Sequence, residues 1–361
     1  MATIPTTTTA WETTIDHLSL HPFGALAGTA GLDAGISAAA SPMLGTHMGA
    51  TIDWAVTSAL GAPLPGSGRT RETWELLATA AAADVSAARI LEPHLDALSI
   101  LDQARGEQIA VDLAAVGADD ESSWGVYAAE GTRLEARETT EGWVLSGTKS
   151  WCSLAGHLSH ALVTAWTGPE TRRLFAVSLR RPEVTAHRGP WVSRGLAQIV
   201  SAGVDFADAP AVPVGDDGWY LTRPGFAWGG MGVAAVWWGA AMPLVRAVVQ
   251  RAEAEGADQL AATFAGSADA AFWAVRSVLA EAADAVDAGV TGRDLKITAE
   301  RVRSFAATQV EQIVGIADRA LGPGPLTSDE KHARRVSDLR IYLRQHHGER
   351  DLARLGKLLA T

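Results

Sequence analysis

Six short runs of β-forming residues lie between Glu121 and Val214, and no helical periodicity interrupts them. They are Ser123 to Ala129, Leu134 to Glu138, Trp143 to Trp151, Ala161 to Trp166, Leu174 to Leu179 and Val200 to Phe206. Turn-forming residues bound each run. Thr139-Thr140-Glu141-Gly142 and Thr167-Gly168-Pro169 fall where hairpin loops belong. Strands this closely spaced leave no room for the helical crossovers that a parallel array needs. The pattern predicts a small antiparallel sheet domain and excludes a βαβ fold.

Helical patterns flank the sheet. Before it, Thr70 followed by Thr73-Trp74-Glu75-Leu76-Leu77 reads as a helix start, and an alanine-rich run continues to about Ile90. Pro93 predicts a break or a first turn. Leu95, Leu98, Leu101, Ile109 and Leu113 then predict further amphipathic helix. After Gly225, residues 229 to 254, 264 to 288, 294 to 321 and 328 to 358 are long apolar-periodic segments. The first 68 residues are rich in Ala, Gly, Thr, Ser and Pro, with short helices allowed over Leu26 to Leu44 and Ile52 to Leu60. Their end, Gly61-Ala-Pro-Leu-Pro-Gly-Ser-Gly68, reads as a loop or linker. The predicted organisation is an α+β chain. A poorly defined segment (1–68) precedes an N-terminal helical domain (69–120), a middle antiparallel β-domain (121–220) and a C-terminal four-helix bundle (221–361).

Composition narrows the function. A net charge of -11 argues against sequence-independent binding to nucleic acid or an anionic membrane, which needs a cationic face. No stretch approaches about eighteen uninterrupted apolar residues, so no membrane-spanning helix is expected. The N-terminus lacks the basic start and apolar run of a secretory signal, and Cys152 is the only cysteine; a cytoplasmic location is expected. Gly230-x-Gly232-x-x-Ala235 imitates a dinucleotide fingerprint without the preceding strand, and reads as close helix packing. Gly322-Pro-Gly-Pro325 lacks the Lys and Ser/Thr of a Walker loop. There is no Gly-x-Ser-x-Gly elbow, His-Glu-x-x-His motif or cysteine pair. His346 and His347 are neighbours and diverge by about 100° on a helix, a poor metal pair.

The most informative stretch is Trp143-Val-Leu-Ser-Gly-Thr-Lys-Ser-Trp-Cys-Ser153. Two readings of Trp151 and Ser153 are open on pattern alone. They are a core tryptophan and a turn residue, or they cover an aromatic ring system and hydrogen-bond its edge.

Gly142 to Ser153, followed by Leu162-Val-Thr-Ala165, resembles the middle β-domain of the acyl-CoA dehydrogenases. There a Gly-x-x-Leu-x-Gly-x-Lys-x-(Trp/Phe)-Ile-(Thr/Ser) run walls the flavin of FAD. Ser123-Trp-Gly-Val-Tyr-Ala-Ala-Glu130 is similar to the family segment ending in Thr-Glu-Pro. The resemblance covers roughly residues 70 to 358 and shares the helix, sheet, helix order. It implies that Trp151 packs on the flavin, that Ser153 bonds near its N5, and that Tyr127 to Ala129 line it through backbone. Ala129 stands where the family usually has Thr.

The departures bear on activity. Family dehydrogenases take an α-proton with a Glu near the C-terminus or at the start of the first C-terminal helix. Aligning Ser337-Asp-Leu-Arg340 with the family's Arg-Asp-Ala-Arg puts His346 at the first place, and the second falls near Gly229 or Gly230. The family's Arg-x-x-Phe-Gly segment, which reaches FAD phosphate, is not visible in Arg251 to Phe264, and Asp318 replaces the usual Gln. On a helix, His346 would share a face with Leu339, Tyr342 and Leu343; it is either a half-buried cap on that stripe or a base near the flavin. Arg340, Arg344 and His347 form a second stripe, a solvated or inter-subunit face or a phosphate contact. His94 is a helix-boundary residue or approaches the active-site cleft, and Trp228, Trp237 and Trp238 pave a pocket or fill the bundle core.

The resemblance implies an FAD-dependent oxidoreductase, lacking the usual catalytic Glu, that acts on the CH–CH bond of an acyl thioester or similar small-molecule substrate, acyl-CoA among them, with an electron-transfer protein or flavin reductase as partner and a homodimer or homotetramer as the assembly. The alternative is a reduced-flavin monooxygenase of the same fold, for which FMN would serve; the Trp-Gly-Val-x-Ala-Ala strand at 124–129 is similar to that group's. A third reading is a non-catalytic scaffold.

Overall fold

The structure is a computed structural model that describes residues 18–20 and 43–360. The expected helix over Leu26 to Leu44 lies almost wholly outside the described residues, whereas the second expected helix is α1, Met48–Ala59. Helix α2 spans Thr70–Ala83 and α3 spans Val85–Gly106. The alanine-rich run is therefore two helices joined at an elbow. Asp84 adopts extended geometry there, and its carboxylate accepts the Ala87 N–H at 2.9 Å as the N-cap of α3. Pro93 does not break α3, although proline withholds one hydrogen bond from a helix interior. Beyond Gly106 only a 3-10 turn, Leu113–Val116, replaces the further helix expected around Ile109 and Leu113.

The sheet comprises β1 (Trp124–Tyr127), β2 (Leu134–Thr139), β3 (Gly142–Ser153), β4 (His160–Trp166), β5 (Arg172–Ser178), β6 (Val184–Ala186) and β7 (Ser201–Val214). Both predicted hairpins form, β2–β3 and β4–β5. Pairings β2–β3–β7–β5–β4 run antiparallel, and a single parallel contact of Glu135 with Trp166 closes them into a ring. Strand β1 lies parallel on β4, an addition to the antiparallel expectation, and the short β6 edges β7. Lys149 is buried, its Nζ donating to Thr164 O at 2.9 Å and Oγ1 at 2.8 Å.

After the short helix α4 (Trp219–Thr222), the bundle is α5 (Gly225–Glu253), α6 (Gln259–Asp287) and α7 (Gly292–Leu321), followed by α8 (Gly324–Ser328), α9 (Glu330–Tyr342) and α10 (Glu349–Ala360). The last predicted segment is thus not one helix. It tightens into a 3-10 turn at Leu343–Gln345 and breaks at Gly348, whose φ of 56° suits glycine. Helix α5 has the length and composition to cross a membrane, yet 72% of its most apolar window is buried in the molecule. Trp237 and Trp238 are core residues. Helices α2 and α5 approach backbone to backbone: a Cβ on Gly239 would lie 2.0 Å from the Ala78 carbonyl oxygen.

Helix α9 fastens the α2–α3 elbow. Arg334 pairs with Asp84, and Arg335 donates to the carbonyls of Ala81 (2.8 Å), Ala82 (2.7 Å) and Ala83 (3.0 Å). These are carbonyls of the last turn of α2, which lack helical partners. Asp338, buried on the same helix, accepts the Leu196 N–H at 2.5 Å. One helix therefore sets both the direction of α3 and the loop before β7.

Candidate active site

The end of β3 is irregular. Its register against β7 shifts between Lys149 and Cys152, and both Trp151 (φ 62°) and Leu154 (φ 58°) take left-handed backbone. That conformation is uncommon for bulky residues and is retained where the surroundings impose it. The bulge turns Trp151 outward, 60% exposed, and leaves Ser153 facing α3. Ser153 Oγ lies 2.8 Å from Ser201 Oγ and accepts from Arg89 Nη2 at 3.2 Å, while Tyr127 Oη donates to the Ser153 carbonyl at 3.0 Å. Arg89, Pro93, Gly125, Tyr127, Ser153 and Leu154 line a cleft of about 270 Å³, open to solvent. Ala129 sits exposed in the loop after β1 and is not among the residues lining the cleft.

A second hollow, about 340 Å³ with its mouth, lies between α2, α3 and the start of α5. Trp74, Glu92, Asp96, Trp228, Gly229 and Gly232 line it. The loop ending at Gly68 contributes Pro65 to its wall, so that loop belongs to the site. Arg89 connects the two hollows. From Ser153 it reaches Glu92 at 3.5 Å and lies 5.6 Å over the Tyr342 ring, whose hydroxyl donates to Glu92 Oε2 at 3.0 Å. Burial pushes the Glu92 carboxyl up, opposed by the charge of Arg89. Asp96 is also raised by burial, against the pull of Arg223 3.5 Å away. A Cβ on Gly229 would lie 2.9 Å from Asp96 Oδ1, so that carboxylate lies directly against the glycine.

His346 is not on a helical face with Leu339, Tyr342 and Leu343. The chain leaves the 3-10 turn before it, and His346 itself is extended. Its Nε2 is 3.1 Å from Ser304 Oγ and its Nδ1 accepts the Gly348 N–H at 3.3 Å. Burial depresses its pKa, partly offset by Asp351. It lines neither hollow. In the neighbouring basic stripe, Arg340 is paired with Asp318, Arg344 with Glu311, and His347 lies 3.5 Å from Asp351. Carboxylates thus occupy the cations that a phosphate would need.

His94 is inside α3, not at its boundary, and its Nδ1 accepts the Trp124 N–H at 3.3 Å, pinning α3 to β1. Burial lowers its pKa from 6.5 to about 4. The folded chain therefore resists a proton that the unfolded chain accepts below about pH 6.5, so stability present above that pH is lost as pH falls toward 4. From pH 7.5 to 5.0 this histidine should cost about 2 kcal/mol, since about 1.4 kcal/mol accompanies each unit below pH 6.5. Urea unfolding of the wild type and His94→Gln at the two values checks it: the variant should show the shallower loss. Parallel losses would remove His94 as the cause.

Of the expected flavin contacts, Tyr127 and Ser153 are bonded to each other and line the cleft, whereas Trp151 is turned outward and is not among the residues lining it. Sequence reasoning did not single out Arg89, Glu92 or Asp96. Their signal was present as charges spaced three and four apart within an otherwise apolar helical run.

No family model matches the chain, and no curated protein matches it. Solved structures do. TdsC from Paenibacillus sp. A11-2, in complex with FMN and indole, is 18% identical over 92% of this chain and 97% of that one, with a TM-score of 0.76. The nitrososynthase of Micromonospora carbonacea var. africana is 19% identical over 95% and 100% of the two chains, with a TM-score of 0.76. Butyryl-CoA dehydrogenase from Megasphaera elsdenii is 15% identical over 91% and 97%, with a TM-score of 0.75. The chain has the acyl-CoA dehydrogenase fold.

Proposed function

We propose that the chain is a reduced-flavin-dependent monooxygenase on the acyl-CoA dehydrogenase fold, served by a separate flavin reductase. One observation carries this reading: neither sequence position where the dehydrogenases keep their catalytic Glu is a carboxylate, and the carboxylates that do line the hollow, Glu92 and Asp96, are held by Arg89 and Arg223. Gly229 and Gly230 stand at one, and His346 at the other is turned to Ser304. Removing a proton α to a thioester needs a base within reach of the substrate. Insertion of an oxygen atom does not begin with that step. TdsC, a dibenzothiophene monooxygenase, and the nitrososynthase are fold neighbours that support the choice.

The residues present fit a flavin ring. Ser153 offers the cleft a hydroxyl and Gly125 to Tyr127 a backbone wall, and Trp151, two residues before Ser153, offers an exposed indole face outside the cleft's lining. FMN is favoured over FAD, because the Arg and Gln that the dehydrogenases apply to the dinucleotide are replaced and Asp318 is held by Arg340. When bound, the reduced flavin supplies the electrons that activate dioxygen. The chain does the rest. Trp74 and Trp228 give the adjoining hollow aromatic walls, and Arg89 stands between hollow and cleft, bonded to Ser153 and paired with Glu92.

The test compares two reductants on the FMN-loaded chain. Anaerobic butyryl-CoA should leave the flavin oxidised, whereas FMN reduced by an NADH-dependent reductase should be reoxidised on the chain with uptake of oxygen. Bleaching by butyryl-CoA without oxygen would establish a dehydrogenase instead.

A further inference from the structure

We propose that the Ser153 hydroxyl is polarised as a pure hydrogen-bond acceptor and so selects reduced over oxidised flavin. The proposal rests on the oxygenase reading above and adds to it which redox form the chain captures. Four groups form a hydrogen-bonded chain at the end of β3. Arg89 Nη2 donates to Ser153 Oγ at 3.2 Å, Ser153 Oγ lies 2.8 Å from Ser201 Oγ, and Ser201 Oγ donates to the Ile199 carbonyl at 3.0 Å. Ser153 and Ser201 are register partners on β3 and β7, so the sheet itself sets their approach.

The two ends fix the hydrogens between them. A guanidinium has donors and no acceptor, a carbonyl only accepts, and a hydroxyl has one hydrogen and two lone pairs. Ser201 gives its hydrogen to the Ile199 carbonyl, so the short contact between the serines is closed by the hydrogen of Ser153. Ser153 spends one lone pair on Arg89. What it has left for the cleft, which it lines, is the other lone pair. Tyr127 does not alter this, because its hydroxyl is committed to the Ser153 carbonyl at 3.0 Å.

The flavin ring reverses its own polarity on reduction. Its N5 is an acceptor when oxidised and carries a hydrogen when reduced. Against an acceptor-only hydroxyl, reduced FMN gains a hydrogen bond, whereas oxidised FMN sets lone pair against lone pair. Arg89 adds a positive charge, partly matched by Glu92 at 3.5 Å, which favours the electron-richer ring in the same direction. A chain supplied by a separate reductase thereby takes up reduced FMN and lets the oxidised form go.

Anaerobic ultrafiltration of the full chain with FMN, and with FMN reduced by dithionite, tests this. Reduced FMN should bind about 10-fold more tightly, the equivalent of one hydrogen bond. The midpoint potential of bound FMN should then lie about 30 mV above that of free FMN. Ser201→Ala leaves Arg89 and Ser153 in place and frees the hydrogen of Ser153. It should cut the preference roughly 3- to 10-fold by tightening the oxidised form, a gain that damage to the fold does not produce. Should that variant fail to fold, Ser153→Ala removes the acceptor and should shrink the preference by a similar factor. Equal affinities in the wild type, tighter binding of oxidised FMN, or an unaltered preference in a folded variant would overturn the proposal. Uptake of neither form would take the oxygenase reading down with it. A preference for reduced FMN in a chain whose flavin is bleached anaerobically by butyryl-CoA would instead sink that reading and leave the selection of redox form standing.

Discussion

Arg335→Leu should lower the stability of the chain by about 3–5 kcal/mol, the cost of removing a charged group whose enclosed partners are left without a donor. Arg335 serves Ala81, Ala82 and Ala83 at 2.7–3.0 Å, the carbonyls that close α2 before the Asp84 elbow. A leucine has similar bulk and no donors, so packing cannot compensate. Next to it, Asp84 caps α3 and pairs with Arg334, so the elbow loses one of two clamps. The consequence reaches the site, because α3 carries Arg89, Glu92 and Asp96 on the turns that follow. Urea unfolding of Arg335→Leu and Arg335→Lys checks it: lysine keeps the charge and should recover part of the loss. A leucine variant within 1 kcal/mol of wild type would show that water, not Arg335, satisfies those carbonyls.

Trp151→Gly should move ligand binding and stability in opposite directions. Stacking of a flat ring on an indole is worth about 1–3 kcal/mol, so FMN affinity should fall roughly 5- to 100-fold. Stability should hold or rise by about 1 kcal/mol, because glycine tolerates the left-handed backbone at this position and a side chain does not. A core tryptophan would behave otherwise: its loss would cost several kcal/mol. At 60% exposure Trp151 has little packing to lose. Isothermal binding and thermal unfolding of the one variant read both effects. A large fall in stability would return Trp151 to a structural role.

Much of this architecture was legible in the sequence. Turn residues between β-forming runs mark most of the strands and both hairpins, though not the closure into a ring, the parallel β1 or the short β6, and the 3.6-residue period marks α5, α6 and α7. What was missed depends on contacts distant in the chain. The elbow at Asp84 is invisible in an alanine-rich run, because Arg334 and Arg335, which hold it, lie 250 residues further on. The break before His346 is similar. The apolar period runs through it, but Gly348 in left-handed backbone and the contact of His346 with Ser304 end the helix. Period alone therefore placed His346 on a face that does not exist. At the site, Trp151 and Ser153 stood out because an indole and a hydroxyl follow a Gly-Thr-Lys bend. Glu92 and Asp96 did not, because a carboxylate on a helix normally signals its solvent side; their burial follows from the packing of α3 against α5 and β1.

Titration of FMN into the purified full-length chain, followed by flavin and indole fluorescence, tests the central claim most directly. The predicted result is saturable quenching of both signals at one flavin per chain, shifted to roughly 5- to 100-fold higher FMN in Trp151→Gly. Flavin emission that stays that of the free dye at every protein concentration would contradict it, and would leave the fold without the cofactor on which the proposed chemistry depends.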